Sequence, residues 1–428
     1  MSSTLVAEST AIRSTASRIH AKTPEFSRSN RAVFLGGFST FSLLYCVQPM
    51  MPIFAKEFGL TPVESSWSLS ISSATLAFTL IFAGAISDSI GRKSVMCMAL
   101  LLSAITTIGS AFSQNYTEFL IMRGILGVTL AGLPAVAMAY LSEEIDATSL
   151  GYSMGLYISG NALGGMTGRV FVSFLSDMYS WRVAIGIVGV ASLLASIEFW
   201  RSLPKSRHFR KTDFDAPSII NGLIGHFRDE GLPWLFMLAF LIMGCLVSLY
   251  NYMGFRLMEP QFGLRQSQMA AIFSLYIMGI FSSVWTGKLA DKFGRRRVLW
   301  LVISIMLTGL LLTLSNSLIW IILGIALFTY GFFGSHSVAS SWVGRRAKPP
   351  QALASALYLL FYYLGSSLVS VVAGVMWASH KWPGVVITLS VCLAGCMLIA
   401  LRLRNLMPLT VDASASPTPS IAPENPGA

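Results

Sequence analysis

Residues 291–314 read Asp291-Lys-Phe-Gly-Arg-Arg-Arg-Val298 followed by Leu299-Trp-Leu-Val-Ile-Ser-Ile-Met-Leu-Thr-Gly-Leu-Leu-Leu-Thr-Leu314. The first part carries five charged side chains in eight residues, and the second carries none. A helix needs roughly 20 apolar residues to cross the hydrocarbon core of a bilayer. Backbone groups in lipid must be bonded internally, which leaves helices or closed barrels. Barrel strands alternate apolar and polar residues over about 10 positions. Leu299–Leu314 does not alternate, so it reads as a membrane-crossing helix.

The same reading applied outward finds twelve such runs, near 32–54, 66–87, 95–113, 118–140, 151–173, 181–200, 233–255, 268–287, 298–316, 318–342, 352–376 and 383–401. The composition agrees: of 428 residues, 54% are hydrophobic and 11% charged, with a mean hydropathy of +0.66. A soluble domain carries about 25% charge. Five cysteines cannot staple a chain of this length, which excludes a disulfide scaffold. The apolar load excludes a disordered chain. The expected fold is an all-α membrane protein of twelve transmembrane helices.

Lysine and arginine set the orientation. With the N-terminus in the cytoplasm, 23 of the 30 basic residues fall on the inner side, 5 on the outer side, and Arg123 and Arg169 inside apolar runs. Both termini are therefore expected inside. The net charge of +11 is then topological and faces anionic lipid headgroups, with no call for nucleic acid. The expected organisation is a disordered cytoplasmic tail over 1–31, a six-helix bundle over 32–200, a cytoplasmic loop over 201–232, a second bundle over 233–401 and a disordered tail over 402–428. Within the loop, Ile219, Ile220, Leu223, Ile224 and Phe227 keep helical spacing, as in a short helix lying on the membrane face.

The two bundles repeat. Gly84-Ala-Ile-Ser-Asp88-Ser-Ile-Gly91-Arg92-Lys93-Ser-Val95 returns 203 residues later as Gly287-Lys-Leu-Ala-Asp291-Lys-Phe-Gly294-Arg295-Arg296-Arg-Val298. Leu156-Tyr157 with Leu163-Gly164 returns as Leu357-Tyr358 with Leu364-Gly365. Tyr140-Leu-Ser-Glu143-Glu144 aligns with Trp342-Val-Gly-Arg345-Arg346. Matches near one offset mark a duplicated six-helix unit. Paired repeats of this kind build transporters whose substrate site lies between the halves near the bilayer midplane.

The Gly-x-x-x-Asp-x-x-Gly-Arg-[Lys/Arg] pattern after spans two and eight resembles motif A of the major facilitator superfamily. Cys46-Val-Gln48-Pro49-Met-Met-Pro52, Arg123 with Gly127, and Gly160-Asn161-Ala-Leu-Gly164-Gly165 are similar to the proline-containing, basic-residue and glycine motifs of the drug:proton antiporter branch. Asn161 stands where the glycine motif usually has proline. The resemblance, to bacterial inner-membrane efflux proteins, implies a plasma-membrane location and two pseudo-symmetric six-helix bundles. It also implies that Asp88 docks on the start of span eleven near Pro349–Ala352 and holds the inner gate shut. By the repeat, Asp291 is expected at the start of span five.

The intramembrane charges are Arg123, Arg169 and Glu198. A central arginine costs at least about 2.5–3.5 kcal/mol on insertion scales. Arg123 is therefore expected to face a polar cavity or a partner, and Arg169, nearer the outer end, to snorkel. Glu198 is the single acid inside an apolar run, and it joins Asp88, Glu143 and Glu144 as a candidate proton carrier, with His336 as a titratable alternative. Gln48, Tyr157, Asn251, Tyr330, His336, Tyr358 and Tyr362 are candidate cavity residues, suited to amphiphilic or uncharged ligands. Glycines 160, 164 and 168 permit close helix packing. With no phosphate loop and no metal-binding His/Cys cluster, no enzyme, cofactor or metal is expected. The expected function is proton-coupled export of small amphiphilic or sugar-like molecules by a monomer. An importer or facilitator of a sugar or organic solute, and a non-transporting sensor, are the alternatives.

Overall fold

The structure is a computed structural model that describes residues 18–209, 211, 216–348, 351–404 and 406. Among the described residues all regular structure is helical, apart from one isolated backbone bridge between Ile19 and Ile145. Span one comprises Pro24–Tyr45, a 3-10 turn at Gln48–Met50, and Met51–Phe58. Span two is Pro62–Ile90, span three Arg92–Ser110, and span four Tyr116–Leu130 continued by Pro134–Glu144. Span five is Ala147–Met178 and span six Trp181–Ser202. A short helix, Ala216–Phe227, precedes span seven, Leu232–Met258. Span eight runs from Gln266 to Phe293 through a 3-10 turn, span nine is Arg295–Leu312 and span ten Leu318–Arg346. Spans eleven and twelve are the two arms of Gln351–Arg404, which reverses at Lys381 with φ 51°.

Eight segments are long and apolar enough to cross a membrane unaided, and Leu353–Arg404, folded on itself, supplies two crossings. Pro134 interrupts span four, span five is rich in Gly and Ser, and three arginines head span nine. The flanks carry large exposed apolar side chains such as Phe78, Ile319 and Val391, as a surface immersed in lipid requires.

Local chemistry explains the ends. Thr61 and Glu64 form a reciprocal capping box at the start of span two, with Pro62 in the first turn. The chain then reverses within one residue at Gly91 (φ 112°) and, in the repeat, at Gly294 (φ 87°). Such positive φ values are strained for side-chain-bearing residues, which accounts for glycine in both copies of the motif.

Span one begins at Pro24, eight residues before the expected start at 32, because Thr23 caps Phe26 N–H at 3.1 Å and proline occupies the first turn. Residues before it pack as well: Ile19 is buried, and its N–H donates to the Glu144 carbonyl at 2.8 Å. Residues 18–31, expected in the disordered tail, are thus ordered, and residues 1–17 lie outside the described residues.

Both termini of the described chain and the 203–231 connection lie at one end of the bundle, here the terminal end; the opposite end is the distal end. At the terminal end Asp229 accepts from Gly231 N–H and Leu232 N–H, each at 2.8 Å, and from Arg346 Nε at 2.5 Å. Burial acts upward on this carboxyl, but the guanidinium and the two N–H groups outweigh it and hold it below the usual carboxylate range. A depressed folded value stabilises at pH above the unfolded value, and the gain is lost as pH falls through the folded one. Asp229→Asn is expected to cost about 1–3 kcal/mol at pH 7. In thermal unfolding measured against pH, the gap to the unmodified protein should close below the carboxylate range.

Candidate functional site

Hydrogen bonds between the halves gather in their distal parts. Gln48 Nε2 donates to Asn251 Oδ1 at 2.6 Å and to the Val247 carbonyl at 3.3 Å. Gln266 Nε2 donates to the Pro49 carbonyl at 2.7 Å, and Ser367 Oγ to the Ser70 carbonyl at 2.8 Å. Arg169 Nη2 donates to Tyr276 Oη at 3.2 Å. These bonds tie spans one to seven, one to eight, two to eleven and five to eight. Toward the terminal end three of these helices have open space beside them: a methyl added at Gly84, Gly151, Gly155 or Gly287 would meet nothing within 4 Å. Among the described residues, the hydrogen bonds that join the halves are thus concentrated distally.

The centre of the seam is a polar network in an aromatic setting. Arg169 Nε donates to Gln48 Oε1 at 2.6 Å, and Nη1 to the Gly165 carbonyl at 2.7 Å. The guanidinium lies over the rings of Tyr45 and Tyr276, 4.1 and 4.3 Å from their centroids. Asn251 continues the network to Ser370 Oγ at 2.7 Å. From Tyr276, rings lead on through Phe333 (5.8 Å) to Phe332, His336 and Tyr362. His336 Nδ1 lies 2.9 Å from Tyr358 Oη.

Several expected site residues thus converge: Gln48, Asn251, Arg169, His336, Tyr358 and Tyr362. Arg169 does not snorkel; it is 1% exposed at the junction of the halves, because span five is long enough to carry it past the lipid surface into the seam. Tyr45 and Tyr276 belong to the site without having been singled out. Tyr45 directly precedes the proline motif, a legible signal, whereas Tyr276 lies on span eight, which the cavity expectation left out.

Of the two expectations for Arg123, a polar cavity or a partner, the structure gives the partner. Arg123 is 1% exposed and donates to the carbonyls of Ser68, Leu43 and Leu44 at 2.9, 3.1 and 2.7 Å. Leu43 and Leu44 close the first segment of span one, where the break at Cys46–Pro49 leaves carbonyls without their usual donors. Arg123 is the cap of that broken helix.

Glu198 is no isolated intramembrane acid. It pairs with Arg31 at 2.9 Å, is 40% exposed, and accepts from Ser202 Oγ at 2.5 Å. Tyr330 meets the rest through its carbonyl, which accepts from Ser282 Oγ at 2.5 Å. Tyr157 is buried, and its hydroxyl has no partner.

Asp88 pairs with Arg92 one turn on, as their spacing predicts. Arg92 also bonds Glu143 at 2.7 Å and Ser87 Oγ at 2.6 Å, and Lys93 bonds the Leu203 carbonyl. The contacts of Asp88 and the hydrogen bonds of Arg92 stay inside the first half, and Lys93 reaches the start of the connection. Pro349 and Pro350, and the side chains of Gln351, Ala352 and Asp291, lie outside the described residues. In the repeat, Arg295 Nε reaches Ser341 Oγ at 3.3 Å and Arg296 the Leu406 carbonyl. At the terminal end Glu144 meets His208 Nδ1 at 3.1 Å, and the equivalent Arg346, of opposite charge to Glu144, meets Asp229.

The glycine motif is a packing device. A Cβ at Gly164 would stand inside the Phe38 carbonyl oxygen, and one at the equivalent Gly365 inside that of Phe240. A Cβ at Gly160 would lie 2.5 Å from the Phe34 carbonyl oxygen, less close but still too near. Gly165 lends its carbonyl to Arg169, and Asn161 packs its amide oxygen against Gly37, with no hydrogen-bond partner. Gly151-Tyr-Ser153-Met-Gly155 spells a hydrolase elbow, but it lies within the continuous helix Ala147–Met178, and Ser153 is fully buried. An elbow needs an exposed serine on a strand-to-helix turn.

Duplicated six-helix halves around a polar seam, hydrogen-bonded to each other at one end, define a membrane transporter by class. The sequence matches the model of the Major Facilitator Superfamily over residues 33–279 and 253–424, and the chain belongs to that family. It is 46% identical over 368 residues to the MFS-type transporter YybF of Bacillus subtilis, covering 86% of this chain and 91% of that one. It is also 46% identical over 383 residues to the inner membrane transport protein YnfM of Escherichia coli, covering 90% and 92%. The crystal structure of a bacterial homolog of the lysosomal transporter Spinster, inward-facing and occupied, matches with a TM-score of 0.71 at 16% identity, over 90% of this chain and 98% of that one. This last likeness concerns the fold. The chain is a multi-pass membrane transporter and not an enzyme.

Proposed function

We propose that the protein is a monomeric secondary transporter of the bacterial inner membrane that exports small amphiphilic organic molecules by alternating access, driven by proton influx. One observation carries this reading: among the described residues, the hydrogen bonds that tie spans one, two and five to spans seven, eight and eleven gather in their distal parts. With both termini in the cytoplasm, as the basic residues favour, this is the inward-open state. The aromatic lining suits amphiphilic ligands. The antiporter-branch motifs favour export, and the match to an inner membrane transport protein favours that location. Asp88, held within its own half here, is the latch that reaches the start of span eleven when the inner side closes. His336 is the titratable group within the aromatic lining.

Inverted membrane vesicles under an imposed pH gradient test this, with a panel of aromatic amphiphiles from ethidium to benzenesulfonate. A transported compound should accumulate and dissipate the gradient. Asp88→Asn should slow accumulation at least about tenfold at unchanged protein level, since it removes contacts that bias one state. Normal flux in the variant removes the latch, and no gradient-driven movement of any compound removes the transport reading.

A further inference from the structure

The buried arginines of this chain solve the problem of a desolvated charge in two ways. Arg346 meets a carboxylate, as does the partly exposed Arg92. Arg123 and Arg256 are capped by backbone carbonyls, those of Thr313 and Ser315 in the case of Arg256. Arg169 follows neither course. Its partners among the described residues are a side-chain amide, one carbonyl of its own helix and a phenol, all neutral. A guanidinium has five N–H donors, and three are used here. Two aromatic faces stabilise the cation but supply no acceptor for the remaining N–H groups. Beside it the hydroxyl of Tyr45, in a residue 3% exposed, has no hydrogen-bond partner among the described residues. The cation and the unpaired hydroxyl thus belong to one stacked pair, and an acceptor-rich anion bound beside it would satisfy both.

We infer that Arg169 and Tyr45 form an anion subsite, and that the transported molecule is a small aromatic monoanion with a carboxylate or sulfonate group. This rests on the transporter reading and names its substrate class. The anionic group takes the free N–H groups of Arg169 and the Tyr45 hydroxyl, while the apolar body lies along Tyr276, Phe333, Phe332, His336 and Tyr362. The site belongs to both halves, since Arg169 comes from span five and Tyr276 from span eight. An occupant there engages the contact that must break when the distal side opens, so binding acts directly on the exchange between states.

Ligand binding to the purified full-length protein in nanodiscs tests this, read by tryptophan fluorescence and thermal unfolding, with benzoate, 2-naphthoate, benzamide and benzylamine. Either carboxylate should bind and raise the unfolding temperature, and the amide and amine should not. Arg169→Gln should weaken carboxylate binding by at least about tenfold. Arg169→Lys and Tyr45→Phe should weaken it a few-fold, with ligand-free stability preserved. A carboxylate response unchanged in Arg169→Gln overturns the inference. So does equal binding of benzamide or benzylamine, or no response to either carboxylate. Exchange of benzylamine in proteoliposomes would overturn the anion subsite and leave transport standing. Carboxylate binding without exchange of any probe would leave the subsite and remove transport.

Discussion

Gly164→Leu is expected to prevent the first bundle from closing. Spans one and five touch backbone to backbone at this point, so the new side chain meets a main-chain carbonyl that has no rotamer to escape into. Overpacking where side chains can move already costs about 1–3 kcal/mol. Here two helix axes must separate, which also breaks the 2.8 Å bond from Ser42 Oγ to the Gly164 carbonyl. Gly365→Leu should act identically in the second bundle, against Phe240. Gly84→Leu, with open space beside it, serves as the control for folding yield. Size-exclusion profiles of detergent-solubilised protein should show loss of the monodisperse peak for the first two and its retention for the third. Normal peaks for Gly164→Leu and Gly365→Leu would contradict the close packing.

The second large effect is expected at Arg123. Removing it leaves three carbonyls in the core, two of them at the end of a broken helix. A buried acceptor left without its donor costs about 1–3 kcal/mol. Arg123→Ala should therefore unfold at a much lower temperature than the unmodified protein. Arg123→Lys should fall between them, since an ammonium lacks the fork that reaches Ser68, Leu43 and Leu44 together. The same order should hold for transport rate. Equal stability of Arg123→Ala and the unmodified protein would show that the capping bonds contribute nothing.

The parts of this fold legible in the sequence were those written locally. Apolar runs gave the helices, and the 203-residue offset placed the two reversals at Gly91 and Gly294. The Asp88–Arg92 pair followed from its spacing of one turn. The start of span one was also legible, in Thr23 followed by Pro24, and was outweighed by the polar character of residues 25–31. That error made Glu198 look isolated, because Arg31 belonged to the assigned tail.

What could not be read is non-local. Arg169 meets Gln48 and Tyr276 across 121 and 107 residues, and no periodicity announces such a pairing. Arg123 is intermediate. Its sequence signal was the Pro49–Pro52 pair, since proline lacks an N–H and strands nearby carbonyls, yet only the fold places span four beside that break. The contacts Glu144–His208 and Arg346–Asp229 show why a repeat read by identity has limits: the halves keep the place of the contact while its span residue changes from an acid to an arginine.

The account depends on the two halves rocking about a seam that closes at one end when it opens at the other. Paired spin labels measure this most directly, after replacement of the five free cysteines. One pair, at the exposed positions Lys56 and Gln261, spans the distal end; the other, at the exposed Ser94 and Lys292, spans the terminal end. Pulsed dipolar distances taken with and without an imposed pH gradient and carboxylate ligand should show two populations in each pair. As the distal distance lengthens, the terminal one should shorten. Single, unchanging distances at both ends, or ends that open and close together, would contradict it.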